Sequence, residues 1–453
     1  MASLSNKELT GHTTRLGLYK IIFRWNFYRF VEIPTENRYS IFMENIILRK
    51  QYLDKIRPFY DSKYIKAITG IRRCGKSELI KQIVEEIKDS GIDEKHIIVL
   101  NLEGRNGEGI TTRLKLEKKL DSLITDKEKY YIFIDEVQHI KKFAEAIASV
   151  RISYNCSLFV TGSNSRLLHG KLQDRLTGRA KEFELYPFTY KESLEYKKAN
   201  NIEISENDFQ DYLKNGGMPQ RYEEQDDVAV KDYLRALCHS IIEKDVYGSH
   251  KKINHSEFEN IAKYIISTTG KPFSALSIGK YLKNSKTKEE QKSLSQTVNN
   301  YAEYLQECYF ITECSPYYLK GKERLNGVKK YYPVDTGLRN AFNEAIEFDD
   351  TFALEAVVFN ELITRGYEVS YGKLRDGEID FVVKKGTKKC LMQVAYSIAN
   401  QATFDREYKA FDKIKDHSPK YVLSLDKKDT SNNGITHLNI MDFLLGKEDI
   451  HLS

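Results

Sequence analysis

The run Gly70-Ile71-Arg72-Arg73-Cys74-Gly75-Lys76-Ser77 constrains the fold of this chain more than any other stretch. It satisfies G-x-x-x-x-G-K-[ST] at every fixed position, a pattern that has mechanical meaning only between a strand and a helix. Both flanks are present. Tyr64-Ile65-Lys66-Ala67-Ile68-Thr69 leads in as a strand candidate, and Glu78-Leu79-Ile80-Lys81-Gln82-Ile83-Val84 leads out with helical spacing. Glycines let backbone N–H groups turn inward around a phosphate chain, and the helix N-terminus adds the positive end of its dipole. Lys76 would neutralise the outer phosphates of ATP, and the Ser77 hydroxyl would hold Mg²⁺. Gly70, Ile71, Arg72, Arg73, Cys74, Gly75 and Glu78 complete the expected cradle. A plain strand-to-helix turn would need the same glycines, but not the Lys-Ser pair that follows them.

Apolar strand-like runs at 64–69, 96–101, 130–135, 157–161 and 181–185 alternate with helical periodicity, which predicts an α/β domain with a mainly parallel sheet. The third run, Tyr130-Tyr131-Ile132-Phe133-Ile134-Asp135-Glu136, ends in two acids. In phosphate-loop enzymes the first such acid serves the metal and a second can orient the attacking water, which assigns Asp135 to Mg²⁺ and Glu136 to general-base work. The fourth run ends in Gly162-Ser163-Asn164-Ser165, so Asn164 suits a γ-phosphate sensor, the alternative being a cap for the following helix. Arg166, Arg175 and Arg179 follow; Arg179, immediately before the last strand, is the favoured arginine finger acting on a neighbouring subunit.

At 453 residues the chain exceeds one ordinary core, and 41% hydrophobic with 30% charged residues describes a soluble globular protein. The net charge of +6 is compatible with nucleic acid without demanding it. Six scattered cysteines (Cys74, Cys156, Cys238, Cys308, Cys314, Cys390) form no C-x-x-C pair, which points to a reducing, cytoplasmic setting. No uncharged apolar run reaches the length of about 18 residues that a spanning helix needs, so no membrane partner is expected. Lys20, Arg24 and Arg29 interrupt the aromatic segment 16–33, and residues 1–42 read as an N-terminal extension.

The motifs Ile68-Thr69-Gly70-Ile71-Arg72-Arg73-Cys74-Gly75-Lys76-Ser77, Phe133-Ile134-Asp135-Glu136-Val137-Gln138, Thr161-Gly162-Ser163-Asn164-Ser165, Leu176-Thr177-Gly178-Arg179 and Tyr186-Pro187-Phe188 resemble those of a prokaryotic family of AAA+ ATPases. The resemblance spans about residues 43–450. It implies an AAA+ P-loop ATPase core at 43–190, a helical lid at 191–250, a winged-helix-like domain at 251–345 and a restriction-endonuclease-like α/β domain at 346–453. In the winged-helix-like region, 274–283 would form the first helix of a helix-turn-helix. Ser295 would cap the recognition helix, and the basic stretch 320–330 would form the wing. Such a module either contacts duplex phosphates or serves as a lid or docking element. In the C-terminal region the family's acids map to Glu355 and Asp380, but Gln393 stands where the family has Glu and Ala395 where it has Lys. That departure implies a degenerate nuclease scaffold, although Glu378 and Lys373 lie close to the site in sequence. The resulting expectation is a ring-forming, Mg²⁺-dependent ATPase that works on duplex or branched DNA. The alternative is an ATP-controlled signalling or defence switch acting on a protein partner.

Overall fold

In the computed structural model, which describes residues 47–165, 178–282, 288–319, 328–343, 348–374, 377–412 and 414–453, five strands form the first sheet. They are β1 (Ile65–Thr69), β2 (Ile97–Asn101), β3 (Tyr130–Asp135), β4 (Cys156–Gly162) and β5 (Ala180–Glu184), all parallel in the order β2-β3-β4-β1-β5. Every residue of β1 and β3 is buried, as expected of central parallel strands covered on both faces by helices. The helix Lys76–Asp89 starts from the phosphate loop and buries Leu79, Ile80, Ile83, Val84 and Ile87 at three- and four-residue spacing. Each such side chain contributes roughly 1.5–3 kcal/mol on burial, so packing anchors the loop from its helical side.

Beyond β5 the chain is helical. Tyr190–Ala199 begins with a capping box between Thr189 and Glu192. Asp208–Asn215 ends at Gly216 (φ 71°), and a 3-10 turn follows over Pro219–Glu223. The helix Asp227–Ile241 then runs into a π-helical turn, Ile242–Tyr247.

The helices His255–Ser267, Ala275–Leu282 and Lys288–Glu307 come next, followed by β6 (Ile311–Cys314), β7 (Pro316–Tyr318) and β8 (Lys330–Pro333). Strands β6 and β8 pair antiparallel. Ser295 does not open a helix; it lies inside Lys288–Glu307. Leu294, Val298, Tyr301, Ala302 and Leu305 make one continuous buried stripe, and that periodicity overrides the capping preference of a serine. Of the expected wing, 320–327 lie outside the described residues, and Lys330 is not on a solvated wing at all, being 2% exposed.

The helices Thr336–Phe342 and Asp350–Thr364 lead into β9 (Glu368–Lys373), β10 (Glu378–Lys385), β11 (Lys388–Val394), the helix Gln401–Lys409, β12 (Lys420–Ser424), β13 (Ile435–Asn439) and the short helix Ile440–Leu444. The sheet order is β13-β12-β11-β10-β9-β7, antiparallel through β9-β10-β11 and parallel through β11-β12-β13. Strand β7 adds to it parallel to β9, so the expected boundary at 345/346 does not separate the sheets. Helix Asp350–Thr364 seats Leu354, Val358, Phe359 and Leu362 in the core that Phe381 and Met392 supply from β10 and β11.

Candidate ATPase site

The phosphate loop leaves β1 at Gly70 (φ 137°) and enters its helix at Gly75 (φ 105°). A Cβ on Gly70 would lie 2.2 Å from the Leu185 carbonyl oxygen, so only glycine fits there. Ile71 and Cys74 point into the core and are fully buried, which leaves the loop's backbone to face a ligand. Burial pushes the Cys74 thiol up, against the opposing pull of Lys76 and Arg49. Arg49 braces the loop from beneath, donating to the Cys74 carbonyl at 3.4 Å, the Tyr186 carbonyl at 2.9 Å and Glu192 Oε1 at 2.8 Å. Burial alone would discourage its charge, and Glu192 restores it.

Lys76 folds back over the loop, its ammonium donating to the Gly70 and Ile71 carbonyls at 3.1 Å each, with Glu136 Oε1 at 3.9 Å. Ser77 Oγ donates to Asp135 Oδ2 at 2.7 Å. Thr161, from β4, donates its hydroxyl to the other oxygen of Asp135 and accepts from the Glu136 backbone N–H at 2.9 Å. Glu136 itself holds a left-handed backbone (φ 59°), an unfavourable conformation for a residue with a side chain, and its carboxylate accepts from Gln138. One hydroxyl and one carboxylate in contact suit a hard cation such as Mg²⁺, which takes few protein oxygens and completes its shell with water and phosphate. Ser77 and Asp135 would hold it, and the ion would draw charge from the phosphates during transfer.

Asn164 is buried at the tip of β4 and donates to the Asp245 carbonyl at 3.4 Å. Glu78 lies in the first turn of the loop helix, where Oε1 pairs with Lys81 at 2.7 Å. Arg72 turns to Asp245 and Glu103, and Arg73 to Gln220 at 3.4 Å, so both loop arginines are engaged by other segments. Arg179 is exposed, and its carbonyl accepts from Ile65 N at 2.8 Å. It therefore stands level with the start of β1, and the phosphate loop lies beyond that strand's other end, roughly 16 Å away at strand rise. Arg179 is thus separated from this chain's own phosphate loop. Arg166 and Arg175 lie outside the described residues. Sequence reasoning missed Arg49 and Asp245, because neither stands in a local motif.

The C-terminal acids are also brought together. Glu355 accepts from the Tyr332 hydroxyl, and Lys330 Nζ lies 2.7 Å from Glu378 Oε1. Val394 N donates to Asp380 Oδ2 at 2.8 Å, Asp380 N to Gln393 Oε1 at 2.7 Å, and Gln393 Nε2 to Glu407 Oε2 at 2.8 Å. Both ends of Gln393 are therefore committed inside the protein. Burial raises Glu355 and Asp380, with Lys330 opposing in each case. Lys330, on β8, places its ammonium beside these acids. Among the described residues, no group of three or more His, Cys, Asp or Glu side chains is arranged to hold a metal ion.

Residues 62–194 match the family profile of an AAA domain. The phosphate-loop region is therefore similar to AAA domains. Residues 206–349 and 351–443 match two further profiles, both described as domains of unknown function (DUF8612 and DUF4143). An uncharacterized protein of Haemophilus influenzae is 29% identical over 404 residues, covering 88% of this chain and 99% of the relative. An uncharacterized protein of Methanocaldococcus jannaschii is 29% identical over 366 residues, covering 78% and 79%. Among solved structures, the Aeropyrum pernix ORC1 protein in complex with DNA aligns at 11% identity with a TM-score of 0.30, over 66% of this chain and 93% of that one. CDC6P from Pyrobaculum aerophilum aligns at 9% identity with a TM-score of 0.28, over 66% and 93%. Among the described residues, no helix is long and apolar enough to cross a membrane.

Proposed function

We propose that this chain is a Mg²⁺-dependent ATPase that assembles with copies of itself and couples ATP hydrolysis to work on DNA. The contact between Ser77 and Asp135 carries the ATPase reading, since it joins the phosphate loop to the acid of β3 as Mg²⁺-assisted phosphoryl transfer requires. Lys76 binds the outer phosphates, Glu136 orients water, and Asn164 reads the γ-phosphate. Arg179 acts on a neighbouring subunit; its distance from its own loop supports that role.

The reading of DNA as substrate rests on the net charge of +6 and on the three helices followed by an antiparallel strand pair, an arrangement like that of a winged helix. The C-terminal domain resembles a nuclease scaffold whose acids are internally compensated, and it serves as a recognition platform. Turnover measured with and without linear, single-stranded and branched DNA tests the proposal. Stimulation by DNA that weakens as salt rises is expected, because phosphate contacts release counterions. Turnover indifferent to every DNA, with nucleotide-dependent assembly, would favour the switch acting on a protein partner. In the same preparations, plasmid DNA in Mg²⁺ or Mn²⁺ should remain uncut.

A further inference from the structure

Asp245 lies in the π-helical turn Ile242–Tyr247 and is 6% exposed. Its Oδ2 accepts from Arg72 Nε at 3.1 Å, and its Oδ1 from Arg72 Nη2 at 3.2 Å and from Ser163 Oγ at 3.0 Å. Its carbonyl accepts from Asn164. Gln138 extends the connection, donating to Ser163 Oγ at 3.3 Å and to Glu136, whose other oxygen faces Lys76. One residue of the lid therefore links the phosphate loop, the water-orienting acid and the tip of β4.

Building on the ATPase reading, we propose that Asp245 is a positioning residue of the site. It fixes the Arg72 guanidinium beside the tip of β4, so that Arg72 meets the γ-phosphate within its own subunit. Two parallel N–H···O bonds lock a guanidinium in plane and direction, as a single-point lysine contact cannot. Charge fixed in advance stabilises a transition state without reorganisation. A π-helical turn is a recurrent way to redirect one side chain of a helix toward a functional site. This turn also reaches the next domain, since the Tyr247 ring stacks on His255 at 3.6 Å and meets Phe258 edge-on at 5.7 Å. Movement of Asp245 toward or away from the loop would be felt by helix His255–Ser267.

The test compares the full-length parent with Asp245→Asn, Asp245→Glu, Arg72→Ala and the Arg72→Ala/Asp245→Asn double variant, reading kcat, KM for ATP and thermal melting. Asparagine keeps an acceptor for Ser163 but loses the charge that grips Arg72. The expected result is a kcat lowered on the order of 10–100-fold in Asp245→Asn, with KM changed by less than about threefold. Asp245→Glu should recover part of the loss, and the double variant should be no slower than Arg72→Ala alone. Unchanged kcat in Asp245→Asn, or losses that simply multiply in the double variant, would overturn the inference. Should Asp245→Asn melt early, Arg72→Lys gives the same readout, because it keeps the charge and loses the two-nitrogen grip; parental kcat there would equally overturn it. A parent that hydrolyses no ATP would overturn the ATPase reading and this inference together, whereas turnover indifferent to Asp245 overturns the inference alone.

Discussion

The Ser77 hydroxyl donates to Asp135 Oδ2 at 2.7 Å, so the two groups assigned to Mg²⁺ are already in contact. Their proximity follows from the register of β1, β4 and β3, which sets the phosphate loop one strand away from the acid. Thr161 on the intervening strand holds the other oxygen of Asp135 and fixes the carboxylate's orientation. Ser77→Ala should raise the Mg²⁺ concentration needed for half-maximal turnover, and Thr161→Val should do so more mildly. A Mg²⁺ titration of ATPase rate at saturating ATP checks both, and unchanged titrations would count against the assignment of the metal.

Glu136 and Lys76 should fail in different ways. Glu136→Gln keeps the shape but loses the water-orienting carboxylate, so ATP should bind while kcat falls by ~10²–10⁴-fold. Lys76→Ala removes the charge from the cradle and should abolish nucleotide binding itself. Equilibrium binding of a fluorescent ATP analogue beside single-turnover hydrolysis separates the two. Parental turnover in Glu136→Gln would show that another group orients the water.

Lys66 predicts how stability responds to pH. Its side chain is fully buried in β1, donating to Ser157 Oγ at 2.6 Å, and burial lowers its pKa to about 7. The unfolded value is near 10.4. Between these values the unfolded chain binds a proton that the folded chain lacks, so stability rises with pH from about 7 to about 10. Below 7 both states are charged, and the folded state carries the full desolvation penalty. Lys66→Met should therefore be more stable than the parent by about 1–3 kcal/mol at pH 6, with the gap closing toward pH 10. Urea unfolding at both pH values measures it. Ser157 keeps a partner in the variant, because its hydroxyl also donates to the Tyr60 carbonyl.

Lys330 predicts the opposite trend for the C-terminal domain. Its ammonium is buried beside Glu378, and Glu355 and Asp380 act on it from nearby. Both of the latter acids already have raised pKa values, and losing the ammonium would raise them further. A carboxyl whose folded value lies above its unfolded value favours folding below the unfolded value and loses that contribution as pH rises through the folded one. Lys330→Met should thus cost little near pH 4.5 and about 3 kcal/mol near pH 8. Denaturant unfolding across that range reads it, and a pH-independent deficit would contradict the arrangement.

The sequence by itself determined the glycine-rich loop at 70–77, the acids that end β3 and the strand framework of the first sheet. These rest on local rules: a glycine that must turn, an apolar run that must be buried, a lysine beside a serine at the start of a helix. Ser295 shows where local rules stop, since a capping preference of order 1 kcal/mol yields to a helix that buries Leu294, Val298 and Leu305 together. Lys330 shows the same limit for charge, because a basic stretch reads as solvated surface until the fold turns one of its members inward against Glu378. Tertiary structure alone decided which distant residues meet: Arg49 with Cys74 and Glu192, Arg72 with Asp245, Lys330 with Glu378. Periodicity records that a face is apolar and a motif records that a loop can hold phosphate. Neither records which side chain from far along the chain will neutralise a buried charge, because that choice depends on how separately specified elements pack in space.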